Sequence, residues 1–194
     1  MKNKNILIIN GHPDTNSFNV GIVKAYRKGA ESAESKVDVI NISELDFNPN
    51  LQFGYRKRTE LEPDLIESIN KIKKANHIVW VFPQWWYGYP AIMKGFIDRI
   101  FLPGITFDYE EGKTFPKQLL KGKTARIIVT ADTPRWYNNL FMKNPAVNQL
   151  KRGTLQFCGI KPVKVTYISP IKDSTLEFRE NWLRKIQILG TKHN

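Results

Sequence analysis

The chain of 194 residues is long enough to enclose one hydrophobic core, and its 41% apolar and 25% charged residues are typical of a globular domain. No apolar run approaches the roughly 18 residues of a membrane-spanning helix, and the short run after the basic N-terminus predicts a first strand, not a signal peptide. The net charge of +12 comes from dispersed basic residues without a nucleic-acid-binding motif, which favours a solvated surface or phosphate-bearing ligands over nucleic acid.

Apolar periodicity in the first half of the chain alternates between that of strands and that of helices. Short apolar or alternating runs predict strands, and apolar residues three or four positions apart predict helices. In the second helix acidic residues come early and lysines late, as the helix dipole favours. In chain order the elements are a strand at 5–10, a helix from Phe18, a strand at 36–42, a helix at 61–75 and a strand at 77–82.

The second half of the chain continues the same alternation. Gly159 is a stop signal for one helix, and Ser174 with Glu177 three residues later predicts a capping box that opens the last helix. Cys158 is expected in the core; as the single cysteine it cannot form an internal disulfide, which fits a cytoplasmic protein. The elements are a helix at 91–101, a strand at 124–131, a helix at 146–159, a strand at 161–169 and a helix at 174–189.

Strands that alternate with helices predict a single α/β domain over residues 1–194, with a mainly parallel sheet covered on both faces. Five strands in a chain of this length favour the smaller doubly wound fold, with strand order 2-1-3-4-5. In such sheets ligands bind beyond the carboxyl ends of the strands, where the strand order reverses. The loops after Asn10, Phe82 and Thr130 are therefore the candidate site loops.

The first loop, "NGHPDTNSFN", carries hydroxyl and amide side chains into the start of a helix. It lacks the lysine of a P-loop and the three glycines of the dinucleotide-binding fingerprint. Free backbone N–H groups and the positive end of the helix dipole nevertheless favour an anion there, and His12 can add a donor. The alternative is that Asn16 or Ser17 only caps the helix.

The second loop, "PQWWYGYP", is unusually aromatic for a segment that proline and glycine mark as a loop. An isoalloxazine ring needs apolar and aromatic walls on its faces. Opposite an anion-binding helix start, this loop therefore predicts a site for flavin mononucleotide. A hydrophobic plug under neighbouring helices, or a contact between two copies, is the alternative.

The third loop, "TADTPRWYNN", is polar and turn-rich and then aromatic. Asp132 and Thr133 are candidates for the hydrogen-bonding edge of the ring, and Trp136 and Tyr137 for the wall of a substrate pocket. A plain connection between a strand and a helix is the alternative. No spacing typical of metal ligands is present.

Three segments carry a family resemblance: "ILIINGHPDTNSFN", "FPQWWYGYPAIMKGFIDRIFLPGITFDY" and "TLQFCGIKPV". Together, and in this order over essentially the whole chain, they resemble the NAD(P)H:quinone oxidoreductases among the flavodoxin-like proteins. That family includes DT-diaphorase, bacterial quinone reductases and the ancillary subunits of potassium-efflux systems. The middle motif, P-x-x-W-[YF]-x-x-P-x-x-[LM]-K, is the specific one.

The resemblance assigns roles to the three loops. The segment from Thr130 departs from the family's usual Thr-Thr-Gly-Gly, and the missing glycines restrict how closely the backbone can approach a ring. The residues that match the flavin-phosphate loop are His12, Asn16, Ser17, Phe18 and Asn19. Those that match the loop along the ring are Pro83, Gln84, Trp85, Trp86 and Tyr87, and those of the third loop are Thr130, Ala131 and Asp132.

A second departure concerns catalysis. DT-diaphorase has a tyrosine and a histidine after the third loop; Tyr137 matches the tyrosine, but no histidine follows in the next helix. His77 and His193 lie elsewhere, and we expect them to have core or solvated roles. The family's F-x-Y-x-Y segment, which lines the partner's site, appears as Ile105, Phe107 and Tyr109 and implies a homodimer with composite sites.

The activity that the resemblance implies is the transfer of two electrons, as hydride, from NAD(P)H through FMN (or FAD) to a quinone or similar flat acceptor, with ping-pong kinetics. The protein is then expected in the cytoplasm, not integral to a membrane. The alternatives are a flavin-binding regulatory subunit of a potassium-efflux system, peripheral to its transporter, and a reductase of azo or nitro compounds.

Overall fold

The computed structural model describes residues 4–192, and within them five parallel strands form one sheet. A further pair of two-residue strands is antiparallel and too short to leave a periodic signal in the sequence. The strands are β1 Asn5–Asn10, β2 Lys36–Asn41, β3 His77–Pro83, β4 Phe107–Asp108, β5 Lys117–Gln118, β6 Thr124–Thr130 and β7 Val163–Ile168. The sheet order is β2-β1-β3-β6-β7, which confirms the predicted 2-1-3-4-5 topology of a flavodoxin-like fold.

The helices follow the predicted alternation with one unpredicted addition and one change of type. They are α1 Phe18–Ser32, α2 Pro63–Lys74, α3 Ala91–Ile100, α4 Arg135–Leu140, α5 Pro145–Asn148 and α6 Leu176–Thr191, with a 3₁₀ turn at Ile42–Glu44. The short α4 was not predicted. The helix predicted at 146–159 begins as α5 and continues as a π-helix over Gln149–Gln156. Gly159 ends this segment with φ +99°, as its stop signal predicted.

The two faces of the sheet are covered by different helices, as a doubly wound sheet requires. α1 and α6 pack on one face, and α2, α3 and the π-helix contribute to the core on the other. All seven residues of β3 are buried, and Cys158 lies in the core as expected. Along residues 4–192, no helix combines the length and apolarity needed to cross a membrane.

The predicted capping box at Ser174 is wrong. α6 begins one residue later, and its N-cap is Thr175, whose Oγ1 accepts the backbone N–H of Phe178 at 3.2 Å. Ser174 instead donates its hydroxyl to the Ile171 carbonyl at 2.7 Å, which closes the preceding turn. The shift of one residue puts Phe178, not Glu177, in the third helical position.

The long connection between the 3₁₀ turn and α2 is attached to α3 through Arg99. This side chain is 1% exposed, and it donates to the carbonyls of Asn48 and Glu60, the latter at 2.6 Å. Its Nη2 also lies 2.8 Å from the Glu62 carboxylate. One buried guanidinium thus helps to hold a connection without regular structure.

Candidate functional site

The loops after β1, β3 and β6 meet around a cavity of about 150 Å³ at the carboxyl edge of the sheet. Most residues predicted from the three loops line it, although they are far apart in the sequence. These are His12, Phe18, Asn19, Pro83, Gln84, Trp85, Thr130, Ala131 and Asp132, and Ile171 joins them. Asn16, Ser17, Trp86 and Tyr87 belong to the same loops but do not line the cavity.

The start of α1 presents two unpaired donors. Ser17 occupies the N-cap position, but its side chain makes no capping hydrogen bond, and its buried Oγ has no partner within residues 4–192. Asn19 is 2% exposed; its Oδ1 accepts the Thr130 hydroxyl at 2.8 Å, which leaves the buried Nδ2 without an acceptor among the described residues. Since neither Ser17 nor the exposed Asn16 side chain caps α1, capping alone does not explain this loop.

His12 is held as a neutral donor at the mouth of the cavity. Its Nδ1 accepts the backbone N–H of Asp14 at 3.0 Å, so the ring proton lies on Nε2. Burial lowers the pKa of His12, and the nearby Asp14 carboxylate only partly opposes that shift. The ring packs edge-on against Trp85 with 5.4 Å between centroids. Asp14 also accepts the backbone N–H of Asn16 at 2.9 Å, which fixes the loop.

Gln84 presents an unpaired acceptor. Its backbone N–H donates to the Thr130 carbonyl at 2.7 Å, and its Nε2 donates to Tyr167 Oη at 3.3 Å. Burial raises the pKa of Tyr167 to about 12, so its hydroxyl stays protonated and donates to the Thr133 carbonyl at 3.2 Å. These bonds fix the amide orientation and leave Gln84 Oε1 buried without a donor in the part of the chain described here.

The aromatic loop is a tight two-residue turn between Trp85 and Gly88, whose backbone groups bond reciprocally at 3.0 and 2.9 Å. Its central residues have φ +48° at Trp86 and +58° at Tyr87. A turn with two positive φ values favours Asn and Gly, so bulky side chains here store strain. Trp86 is 100% exposed and Trp85 47%, which argues against a buried plug: the turn displays its rings.

The side chains of the third loop make contacts that the sequence did not predict, and their proposed roles toward a ring and a substrate stay predictions. Asp132 lines the cavity, but its Oδ1 already accepts the backbone N–H groups of Ile171 at 3.3 Å and Lys172 at 2.7 Å. Its carboxylate therefore holds the loop after β7. Trp136 and Tyr137 lie on α4, outside this cavity, where the Tyr137 ring stacks on Phe141 at 5.1 Å.

Phe107 and Tyr109 lie in a different and larger cleft of about 540 Å³. The Phe107 ring meets Phe157 at 5.0 Å and Tyr109 at 5.6 Å, and Tyr109 remains largely exposed. Within one chain these rings are thus not brought to the cavity. That they serve a partner's site stays a prediction.

Sequence reasoning missed three residues that shape the cavity: Ile171, Asn138 and Tyr167. Asn138 is fully buried and lies 3.5 Å from Gln84 Nε2 through its Oδ1. Ile171 could have been predicted from geometry: all parallel strands end at the same edge of the sheet, so the loop after β7 also reaches the site. Tyr167 is 83 positions from its partner Gln84, and no local pattern links them. Of the other two histidines, His77 is buried against Tyr26 and Thr124 at the amino ends of the strands. His193 lies outside the described residues.

Comparison with known proteins gives concordant results. Ribosyldihydronicotinamide dehydrogenase (quinone) of Homo sapiens is 28% identical, over 83% of this chain and 79% of its own. NAD(P)H dehydrogenase (quinone) 1 of Rattus norvegicus is 24% identical, over 93% and 76%. The crystal structure of Smu.1420 from Streptococcus mutans UA159 superposes with a TM-score of 0.83 at 29% identity, over 97% of this chain and 99% of its own. The family model described as the flavodoxin-like fold matches residues 4–187, and the chain therefore belongs to that family.

Proposed function

We propose that the protein is a flavin-dependent oxidoreductase that takes hydride from a reduced nicotinamide and delivers two electrons to a quinone or a similarly flat acceptor. Both curated relatives carry names that specify a reduced-nicotinamide donor and a quinone. The unpaired polar atoms in the loops that form the 150 Å³ cavity carry the proposal, because they match one end of FMN.

The three atoms have complementary chemistry. Ser17 Oγ and Asn19 Nδ2 are donors beside the N-terminus of α1, where a phosphate is favoured. Gln84 Oε1 is an acceptor and requires a hydroxyl or N–H group. Asn19 and Gln84 line the cavity, and Ser17 lies in the loop that leads into it. Two donors and one acceptor so placed suit a phosphorylated polyol, which is the ribityl phosphate of FMN. His12 Nε2–H adds a further donor at the mouth.

The cavity is smaller than the roughly 300 Å³ of a typical ligand pocket, so it suits the phosphate end and not the tricyclic ring. The ring would rest on the exposed aromatic turn of Trp85, Trp86 and Tyr87. Bound there, a flavin supplies the hydride acceptor that no side chain provides. The residues themselves bind and orient it and leave one face open, so that donor and acceptor use that face in turn, as ping-pong kinetics requires.

The same proposal includes a homodimer in the cytoplasm. The exposed Tyr109 and the cleft around Phe107 and Phe157 are apolar surface that a second copy can cover, as the family resemblance implies. Each composite site would then combine the cavity of one chain with these rings of the other, and size-exclusion chromatography measures the assembly.

The test is an absorbance spectrum of the purified protein after incubation with excess FMN and desalting, repeated with FAD. We expect a retained flavin band that NADPH bleaches and menadione restores. A protein that retains neither flavin would contradict the proposal. Retained flavin without turnover, together with copurification of a transporter, would instead favour the regulatory alternative.

A further inference from the structure

A separate cavity of about 240 Å³ lies beside β7, between α4 and the π-helix. Arg135 from α4 and Lys151 and Arg152 from the π-helix line it, together with the amide side chains of Asn139 and Asn148. Of the residues that the structure describes, no acidic one lines it. The cavity therefore combines three positive charges with neutral hydrogen-bonding groups.

The three cations form no ion pair within the part of the chain that the structure describes. Across residues 4–192, ion pairs engage basic residues elsewhere, such as Lys94 with Asp98 at 2.5 Å, but none engages Arg135, Lys151 or Arg152. Arg135 and Arg152 are exposed and Lys151 is half-buried, so an anion can reach all three from solvent. Guanidinium groups bind phosphate through two parallel hydrogen bonds, and a lysine adds a point charge. The lining of this cavity thus has groups that can bind a phosphate.

The backbone around the cavity is unusual. The π-helix at Gln149–Gln156 is one of the rarest regular structures, and π-helical turns recur at functional sites. Just before α5, Lys143 and Asn144 have φ +56° and +52°, a conformation that non-glycine residues seldom adopt. Both features lie in the segment that presents Lys151 and Arg152.

The cationic cavity is also a neighbour of the candidate flavin cavity. Tyr167 lines the cationic cavity, and its hydroxyl lies 3.3 Å from the Nε2 of Gln84, which lines the other. One contact between two side chains therefore separates the cavities. A dinucleotide whose nicotinamide lay on the aromatic turn would extend its phosphates away from that ring, and the neighbouring cationic cavity has the matching charge.

We propose that Arg135, Lys151 and Arg152 bind the phosphate groups of the reduced nicotinamide dinucleotide. This inference rests on the proposed function, since it assigns a subsite to that reaction's electron donor. The same chemistry could be supplied by the headgroup of an anionic lipid, and the experiment must separate the two.

The kinetic test compares donors with and without phosphate. NADPH, NADH and dihydronicotinamide riboside share the reducing ring, but the riboside has no phosphate. In the variant Arg135→Gln/Lys151→Gln/Arg152→Gln we expect the KM for both dinucleotides to rise by about 10-fold or more, because charge-assisted bonds are lost. The KM for the riboside should change less than about twofold, since no phosphate contact is lost with it.

The matched control removes the same charge elsewhere. Lys24→Gln/Lys28→Gln/Lys36→Gln alters exposed lysines on α1 and β2, at the opposite edge of the sheet. If the control raised the KM for the dinucleotides as much as the cavity variant does, long-range electrostatic attraction would explain the effect, and the subsite proposal would be wrong. If the cavity variant raised the KM for the riboside as much as that for the dinucleotides, the proposal would also be wrong, because the effect would not depend on phosphate.

A binding measurement is independent of turnover. Isothermal titration with inorganic pyrophosphate should show binding to the parent protein that the cavity variant loses and the control keeps; no binding to the parent would contradict the inference. Cosedimentation with phosphatidylglycerol vesicles that only the cavity variant loses, with unchanged dinucleotide KM, would assign the cavity to lipid and overturn it. A parent protein that oxidises none of the three donors would contradict the proposed function, while the pyrophosphate titration would still test the cavity.

Discussion

Replacement of Ser17 by alanine distinguishes a helix cap from a ligand group. A serine that caps a helix stabilises the protein by about 1 kcal/mol, and its removal costs that amount. Ser17 makes no capping bond, and its buried Oγ is unpaired. An unsatisfied buried hydroxyl is unfavourable by roughly 1–3 kcal/mol, partly offset here by the small space that alanine leaves. We therefore expect Ser17→Ala to leave the free energy of unfolding of the flavin-free protein unchanged or to raise it by up to about 1 kcal/mol.

The effect on flavin binding should have the opposite sign. A hydrogen bond from Ser17 Oγ to a phosphate oxygen contributes about 1.5–3 kcal/mol. At 1.4 kcal/mol per tenfold, its loss raises the Kd for FMN by about 10- to 150-fold. Quenching of flavin fluorescence measures this Kd, and urea denaturation of the flavin-free protein measures the stability.

Thr175→Ala is the matched control, because Thr175 is an N-cap that does accept a backbone N–H, from Phe178 at 3.2 Å. The Thr175→Ala variant should have a free energy of unfolding lower by about 1 kcal/mol, which corresponds to a Tm decrease of about 2–4 °C, and an unchanged Kd for FMN. If Ser17→Ala instead behaves like Thr175→Ala, with lost stability and unchanged FMN affinity, Ser17 is an ordinary cap and our reasoning is wrong.

Three further predictions concern other parts of the chain. Arg99→Met should lower the free energy of unfolding in urea by about 2 kcal/mol, because the carbonyls of Asn48 and Glu60 lose their buried donor. Arg27→Met, at an exposed pair, should cost below about 1 kcal/mol, and equal losses would contradict this ranking. Trp86→Asn should stabilise the flavin-free protein by about 0.5–1 kcal/mol, because asparagine adopts a positive φ with less strain than tryptophan. The same variant should bind FMN more weakly. A destabilised variant would show that the turn is unstrained. In NMR titrations the pKa of His12 should lie below 6.5 without flavin and rise when FMN binds, because the phosphate favours the imidazolium. FMN affinity should therefore increase as the pH falls. A pKa that FMN does not change would mean that the phosphate binds elsewhere.

The sequence predicted the fold well because its signals are local and repeated. The apolar runs that became β1 and β3 each carry their own strand signal, and the doubly wound topology follows from alternation alone. The two-residue strands and α4 were missed because elements of two to six residues complete hardly more than one period. The cap of α6 was misplaced by one residue, since adjacent Ser174 and Thr175 are both good caps and only the turn before them decides.

The candidate site was predictable to the level of its loops, not of its hydrogen bonds. The rule that ligands lie at the carboxyl ends of parallel strands selected the loops of His12, Gln84 and Asp132, and the structure brings them to one cavity. What Asp132 contacts depends on the loop after β7, which is 39 positions away. The orientation of the Gln84 amide likewise depends on Tyr167, and such pairings follow from tertiary packing alone.

The two ends of the same sheet differ in how their buried polar groups are satisfied. At the amino end, His77 contacts Tyr26 Oη at 3.3 Å and Thr124 Oγ1 at 2.7 Å, so its ring is engaged on both sides. At the carboxyl end, Ser17 and Gln84 each leave a buried atom without a partner among the described residues, beside a turn held at positive φ. Each such atom is unfavourable by roughly 1–3 kcal/mol. Buried atoms without a partner also occur elsewhere among the described residues, such as Trp80 Nε1, but those of Ser17 and Gln84 lie in the loops of the candidate site. In the proposed function, the phosphate and ribityl groups of FMN would supply the hydrogen bonds that these two side chains lack.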